Sequence, residues 1–147
     1  MDTINDIHYT NELGLYNLEI NLDPEILTNN CFSTIESKLL SLLNKGQERA
    51  FEINEKMVMT GILPTISLKH LQFDYMTPIP RYKTLSQILY NIRGGDFEIY
   101  LQGVDDLMAS LGSALFEACN TSFQLHLQIK PEEFVDKYNW AQMISGP

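Results

Sequence analysis

Residues 121–129 read Thr121-Ser122-Phe123-Gln124-Leu125-His126-Leu127-Gln128-Ile129. Apolar and polar residues alternate here without a break. Phe123, Leu125, Leu127 and Ile129 fall on one side of an extended chain, and Gln124, His126 and Gln128 on the other. Strict period-two alternation predicts a β-strand with one buried face. The polar row holds an amide, an imidazole and an amide, with no Lys or Glu among them. That composition suits the floor of a polar cleft. The competing reading is a solvated sheet face, since alternation is the ordinary signature of half-buried strands.

Three other stretches extend the same pattern. In residues 15–23, Tyr16, Leu18, Ile20 and Leu22 alternate with Asn17, Glu19, Asn21 and Asp23. Pro24 closes this strand, because proline cannot donate to a ladder. Residues 57–63 predict a short strand closed by Pro64, and 97–102 a strand ended by Gly103. Between them lie helical periods. Phe32, Ile35, Leu39, Leu42, Leu43, Ala50 and Ile53 mark a helix over 32–54, with Ser33 and Glu36 in capping-box spacing. Gly46 interrupts it, at a cost of up to about 1 kcal/mol relative to Ala.

Met76-Thr77-Pro78-Ile79-Pro80 predicts a stiff lead-in to a helix marked by Tyr82, Leu85, Ile88, Leu89 and Ile92 and stopped at Gly94-Gly95. Pro131-Glu132-Glu133 predicts a last helix start, with acids at the positive end of its dipole. Residues 1–12 read as a polar arm, 66–75 as a helical turn and 104–112 as a loop or an irregular turn. Residues 113–119 fit helix or extended chain. The expectation is one α+β domain over 13–147, an antiparallel sheet with helices packed on one face.

The totals narrow the function. A chain of 147 residues with 44% hydrophobic and 20% charged residues is enough for one globular core. A net charge of −9 argues against nucleic acid or an anionic membrane as partner, since both need clustered Lys and Arg. Cys31 and Cys119 form no CxxC pair, so a thiolate zinc site is not expected. The N-terminal residues lack the pattern of a signal peptide, and no apolar run is long enough to span a bilayer. These features predict a cytoplasmic chain with reduced thiols.

Among the residues that could carry chemistry, Glu19 and Asp23 could hold Mg²⁺ or Mn²⁺ through oxygen. Gln124 and His126 could add a ligand or contact a phosphate. Arg81-Tyr82, delivered by the proline segment, could form an anion clamp. For each, an ordinary solvated surface position is the alternative. His8 and His70 lie in weakly patterned stretches and are expected at the surface. Cys119 lacks a neighbouring base and reads as a structural thiol. No P-loop, GxSxG, HExxH or GxGxxG is present.

Several of these pieces occur in a telling order. Leu18-Glu19-Ile20-Asn21 precedes a long helix; Thr60-Gly61-Ile62-Leu63-Pro64, Pro80-Arg81-Tyr82-Lys83 and Asn120-Thr121-Ser122-Phe123-Gln124-Leu125-His126-Leu127 follow, then a helix reaching Ser145-Gly146-Pro147. In this order the chain resembles the second class of the glutamate–cysteine ligase family, which includes the plant enzymes and the bacterial carboxylate–amine ligases. The resemblance spans roughly residues 13–147. It implies a glutamine-synthetase-like antiparallel sheet whose polar face holds ATP, Mg²⁺ or Mn²⁺, and glutamate. The implied reaction is activation of a γ-carboxylate as an acyl phosphate, then attack by an amine such as that of cysteine. By resemblance, Glu19 is a metal or substrate-side ligand, Arg81 and Tyr82 are catalytic residues at the cleft edge, and Gln124 and His126 face nucleotide, metal or substrate.

Two departures accompany the resemblance. The family opens with a Glu-x-Glu metal strand that residues 1–14 do not supply, and it continues past the Ser-Gly-Pro region with a further acidic ligand and basic substrate contacts. The resemblance therefore implies an internal piece of a longer ligase, incomplete on its own. A non-catalytic binding or regulatory domain that keeps the fold is the alternative. Self-association of an inert fragment through open strand edges is a third reading.

Overall fold

A computed structural model describes residues 4–146; residues 1–3 and 147 lie outside the described range. The class is α+β, but the expected single sheet is divided in two. β1 (Tyr9–Asn11) pairs antiparallel with β2 (Leu18–Ile20), and β3 (Phe97–Leu101) pairs antiparallel with β4 (Leu107–Leu111). The helices are α1 (Cys31–Glu52), α2 (Pro80–Arg93), a single turn α3 (Leu115–Ala118) and α4 (Phe134–Ile144). Two 3₁₀ turns over 68–71 and 73–75 fill the stretch expected as a helical turn. No helix of the described residues is long and apolar enough to cross a membrane.

Several expectations need correction. The polar arm contains β1, because Tyr9 is buried and pairs across to Ile20. Residues 104–112 are no loop: Leu107, Ala109 and Leu111 turn inward as β4. The helix start at Ser33 moves to Asn30, whose side chain makes no capping bond; Ser33 instead accepts from Ser37 Oγ within the helix.

The largest correction concerns residues 121–129, which form no strand. Phe123, Leu125 and Leu127 are 63–75% exposed. Residues 57–63 form no strand either, apart from one isolated antiparallel bridge between Ile62 and Asn120.

The buried cluster is drawn from residues 71–119. Leu71, Met76, Leu111, Leu115 and Cys119 are buried together, and Leu13, Tyr16, Tyr82 and Ile99 pack against them. Leu115 is fully enclosed. Cys119 donates its thiol to the Phe116 carbonyl at 3.0 Å, and burial pushes its pKa up. Both features fit a structural thiol.

α1 meets β1 where a side chain would obstruct it. A Cβ on Gly46 would stand 2.6 Å from Met57 Sδ and 3.2 Å from Tyr9 Cε1. Tyr9 also donates its hydroxyl to the Leu42 carbonyl, one turn earlier on α1. The helix interruption seen in the sequence is thus a close-approach position, where glycine admits two neighbours.

Candidate functional site

The β1–β2 hairpin has two unlike faces. Cross-strand partners share a face, so Tyr9 and Ile20 lie on one and Thr10 and Glu19 on the other. Tyr9 is the residue held against α1, which puts Glu19 on the side away from that helix. Thr10 Oγ1 donates to Glu19 Oε2 at 2.7 Å and accepts from Asn21 Nδ2 at 3.1 Å. The carboxylate is half-buried and held in this network.

The segment after β1 ties the hairpin to α2. Leu15 N donates to the Tyr75 carbonyl at 2.9 Å, Thr77 N to the Leu13 carbonyl at 2.9 Å, and Thr77 Oγ1 to the Glu12 carbonyl. Pro78 and Pro80 then start α2 directly, with proline at a position where no amide is needed. This brings Arg81 and Tyr82 to the hairpin. Arg81 donates to the Tyr82 hydroxyl at 3.0 Å and stacks its guanidinium 4.8 Å from that ring. Tyr82 in turn donates to the Asn11 carbonyl at 3.3 Å.

The bond to Tyr82 raises the Arg81 pKa, and the carboxylates of Glu12 and Glu19 raise it further. Arg81 is exposed, so the guanidinium remains open to an anion from solution. Arg81 and Tyr82 thus stand against the hairpin through Asn11, while among the described residues no hydrogen bond or ion pair joins Glu19 to either of them. Glu12 is a fourth participant that its polar context gave no sign of.

Gln124 and His126 stand apart. Both are exposed; His126 Nε2 lies 3.3 Å from Gln124 Oε1, and Gln124 Nε2 donates to Ser122 Oγ at 3.3 Å. The polar row keeps to one side, as the alternation predicts. Among the described residues no hydrogen bond or ion pair links it to Glu19, Arg81 or Tyr82. Hollows of about 280 and 370 Å³ are lined by Pro78–Pro80 with Lys83 and by residues around Tyr16 and His70; none of the five candidates lines either. The candidate site is an open surface.

Nor do the residues present make a metal site by themselves. Among the described residues no three His, Cys, Asp or Glu side chains converge. Mg²⁺ and Mn²⁺ need several oxygen ligands, and Glu19 offers one carboxylate. Asp23, the other acid considered, sits 3.4 Å from His8 Nε2.

That contact belongs to a cluster the sequence did not reveal. His8 Nδ1 lies 2.6 Å from Asp6 Oδ1, and Lys45 of α1 pairs with the same carboxylate. Lys45 first, then His8, hold Asp6 well below the usual carboxylate range; Asp6 first, then Asp23, raise His8. His8 is half-buried rather than a free surface residue. His70 is also half-buried; its Nδ1 accepts from Ser67 N at 2.9 Å and its ring meets Tyr75 edge-on.

Comparison with protein-family models, curated proteins and solved structures finds no match to this chain.

Proposed function

We propose that this chain is part of an ATP-dependent carboxylate–amine ligase of the glutamate–cysteine ligase type. The sheet would be of the glutamine-synthetase kind, with glutamate and an amine such as cysteine as substrates. The observation that carries the reading is that Arg81 and Tyr82, more than 60 positions after Glu19, meet the hairpin that carries it, Tyr82 through the Asn11 carbonyl. Arg81 is the cationic clamp for a carboxylate or a transferred phosphoryl group. Tyr82, packed on the core and bonded to Asn11, holds the guanidinium in place. Gln124 and His126 contact the nucleotide. Glu19 contributes one ligand to a Mg²⁺ or Mn²⁺ shell that the described residues do not complete; the ion supplies charge neutralisation of the phosphates when bound. No step is assigned to the chain acting alone.

A binding or regulatory domain that keeps the ligase fold is the second reading. The single carboxylate available for a metal favours it. The cytoplasm is the proposed compartment.

Titration of the whole chain with Mg-ATP by calorimetry tests the proposal. The expected result is binding that weakens about tenfold, roughly 1.4 kcal/mol, in each of Glu19→Gln, Arg81→Leu and His126→Ala, with circular dichroism unchanged. Absence of heat, or binding indifferent to all three substitutions, overturns it.

A further inference from the structure

Two stretches with strand patterning, 56–62 and 120–126, carry almost no regular pairing, yet they touch at one informative point. Ile62 and Asn120 form an antiparallel bridge. Beside it, Thr121 N donates to the Gly61 carbonyl at 2.7 Å, and Thr121 Oγ1 reaches the carbonyls of Thr60 and Gly61. An antiparallel bridge fixes a register. Each step back from Ile62 must meet a step forward from Asn120, which sets Thr60 opposite Ser122, Met59 opposite Phe123, Val58 opposite Gln124, Met57 opposite Leu125 and Lys56 opposite His126.

We infer that residues 56–62 and 120–126 close into a third antiparallel ladder in the register of the Ile62–Asn120 bridge, placing Gln124 and His126 on the side away from α1, where Glu19 lies. The side-chain chemistry of that register is self-consistent. Directly opposed residues share a face. One face therefore holds Met57, Met59, Phe123 and Leu125, with Gly61 and Thr121 at the bridge end. The other holds Lys56, Val58, Thr60, Ser122, Gln124 and His126, mostly polar, with Ile62 and Asn120 at that end. A slip of one residue in either direction would oppose Met57 and Met59 to polar residues.

Met57 fixes which face is which. Its sulfur lies against Gly46 of α1, so the apolar face turns toward the helix. Phe123 and Leu125, now 71% and 75% exposed, would follow it there. Glu19 lies away from α1 by the same landmark, since Tyr9 on the opposite face meets α1 at Gly46. The ladder rests on the bridge and on Met57 alone. Only the nucleotide role of the shared polar face rests on the ligase reading.

Disulfide trapping tests the ladder without reference to nucleotide. Val58 and Gln124 form a non-hydrogen-bonded pair in this register, a short Cα separation suited to a disulfide. In a Cys31→Ser/Cys119→Ser background, Val58→Cys/Gln124→Cys is expected to oxidise fully to an intramolecular crosslink. The slipped pair Val58→Cys/Phe123→Cys is expected to crosslink at least tenfold more slowly. Equal rates, no crosslink, or a crosslink between two chains overturns the ladder. Should the background unfold, hydrogen exchange on the native chain gives the same decision: slow amides at Met57, Met59, Phe123 and Leu125 with fast amides at Val58 and Gln124 support it, and uniform fast exchange overturns it. If the ladder forms and Mg-ATP binding fails, the ladder stands and the ligase reading falls.

Discussion

Residues 97–111 and 121–129 show what alternation does and does not determine. Phe97-Glu98-Ile99-Tyr100-Leu101 is a strand because a partner, Leu107–Leu111, follows five residues later. Its inward residues meet Leu111 and the Leu115 core. Thr121 to Ile129 alternates more strictly, yet Phe123, Leu125 and Leu127 of its apolar row are exposed. Its only neighbouring strand-like stretch is 60 residues away in sequence, and the two meet at a single bridge. A local hairpin costs little chain entropy to close, whereas a distant pairing must first close a long loop. The pattern states that a face can be buried; the partner decides whether it is.

The comparison can be broken first at the core that supports the paired region. Leu115→Ala removes a fully buried side chain and is expected to cost about 2–5 kcal/mol in chemical denaturation. A loss below about 1 kcal/mol would show that the β3–β4 region does not depend on this core. Next comes the landmark for the unpaired region. Gly46→Leu pushes into Met57 and Tyr9, at an expected cost of about 1–3 kcal/mol. It should also loosen residues 56–62, seen as faster amide exchange there.

Smaller effects sharpen the contrast. Ile99→Ala, at a half-buried position packed on the core, should cost about 1–2 kcal/mol, toward the low end for an aliphatic truncation. Phe123→Ala should approach the Ile99 value, because the inferred ladder turns Phe123 toward α1. A near-neutral Phe123→Ala beside a costly Ile99→Ala would deny that closure and leave residues 121–129 unpaired.

The smallest effect is the pH dependence of the clamp at Asp6, His8 and Lys45. His8 has a raised pKa when folded. Its contribution is therefore present below the ordinary histidine range and lost as pH rises through the raised value. Asp6 has a lowered pKa, so its contribution is present above the ordinary carboxylate range and lost as pH falls below it. Thermal melts should show a shallow maximum between these limits. His8→Gln should remove the alkaline limb and leave the acid limb.

Against this background the sequence was legible in parts. The helices over 31–52 and 80–93 follow from apolar period and from Pro80 and Gly94, which adopts the left-handed conformation at φ 82°. Motif order singles out Glu19, Arg81 and Tyr82; in the structure Arg81 bonds Tyr82 and Tyr82 bonds the Asn11 carbonyl of β1, whereas Glu19 bonds Thr10. β4 escaped because Met108 and Ser110 give its outer face no contrast with Leu107, Ala109 and Leu111. β1 escaped because three residues are too few to show a period, and its anchors, the Tyr9 contact with α1 and the pairing with β2, lie outside the segment. The acid–histidine–lysine clamp depends on residues as far apart as Asp6 and Lys45, a distance over which no local pattern extends. Residues 121–129 were over-read for the opposite reason: their pattern is local and strong, and their partner is remote.

Residue-resolved amide exchange across 120–126 tests the account most directly. It predicts alternating protection, with the Phe123 and Leu125 amides exchanging at least tenfold more slowly than those of Ser122 and Gln124. Uniform fast exchange through Ile129 would contradict it, leaving Gln124 and His126 without a fixed face to share with Glu19.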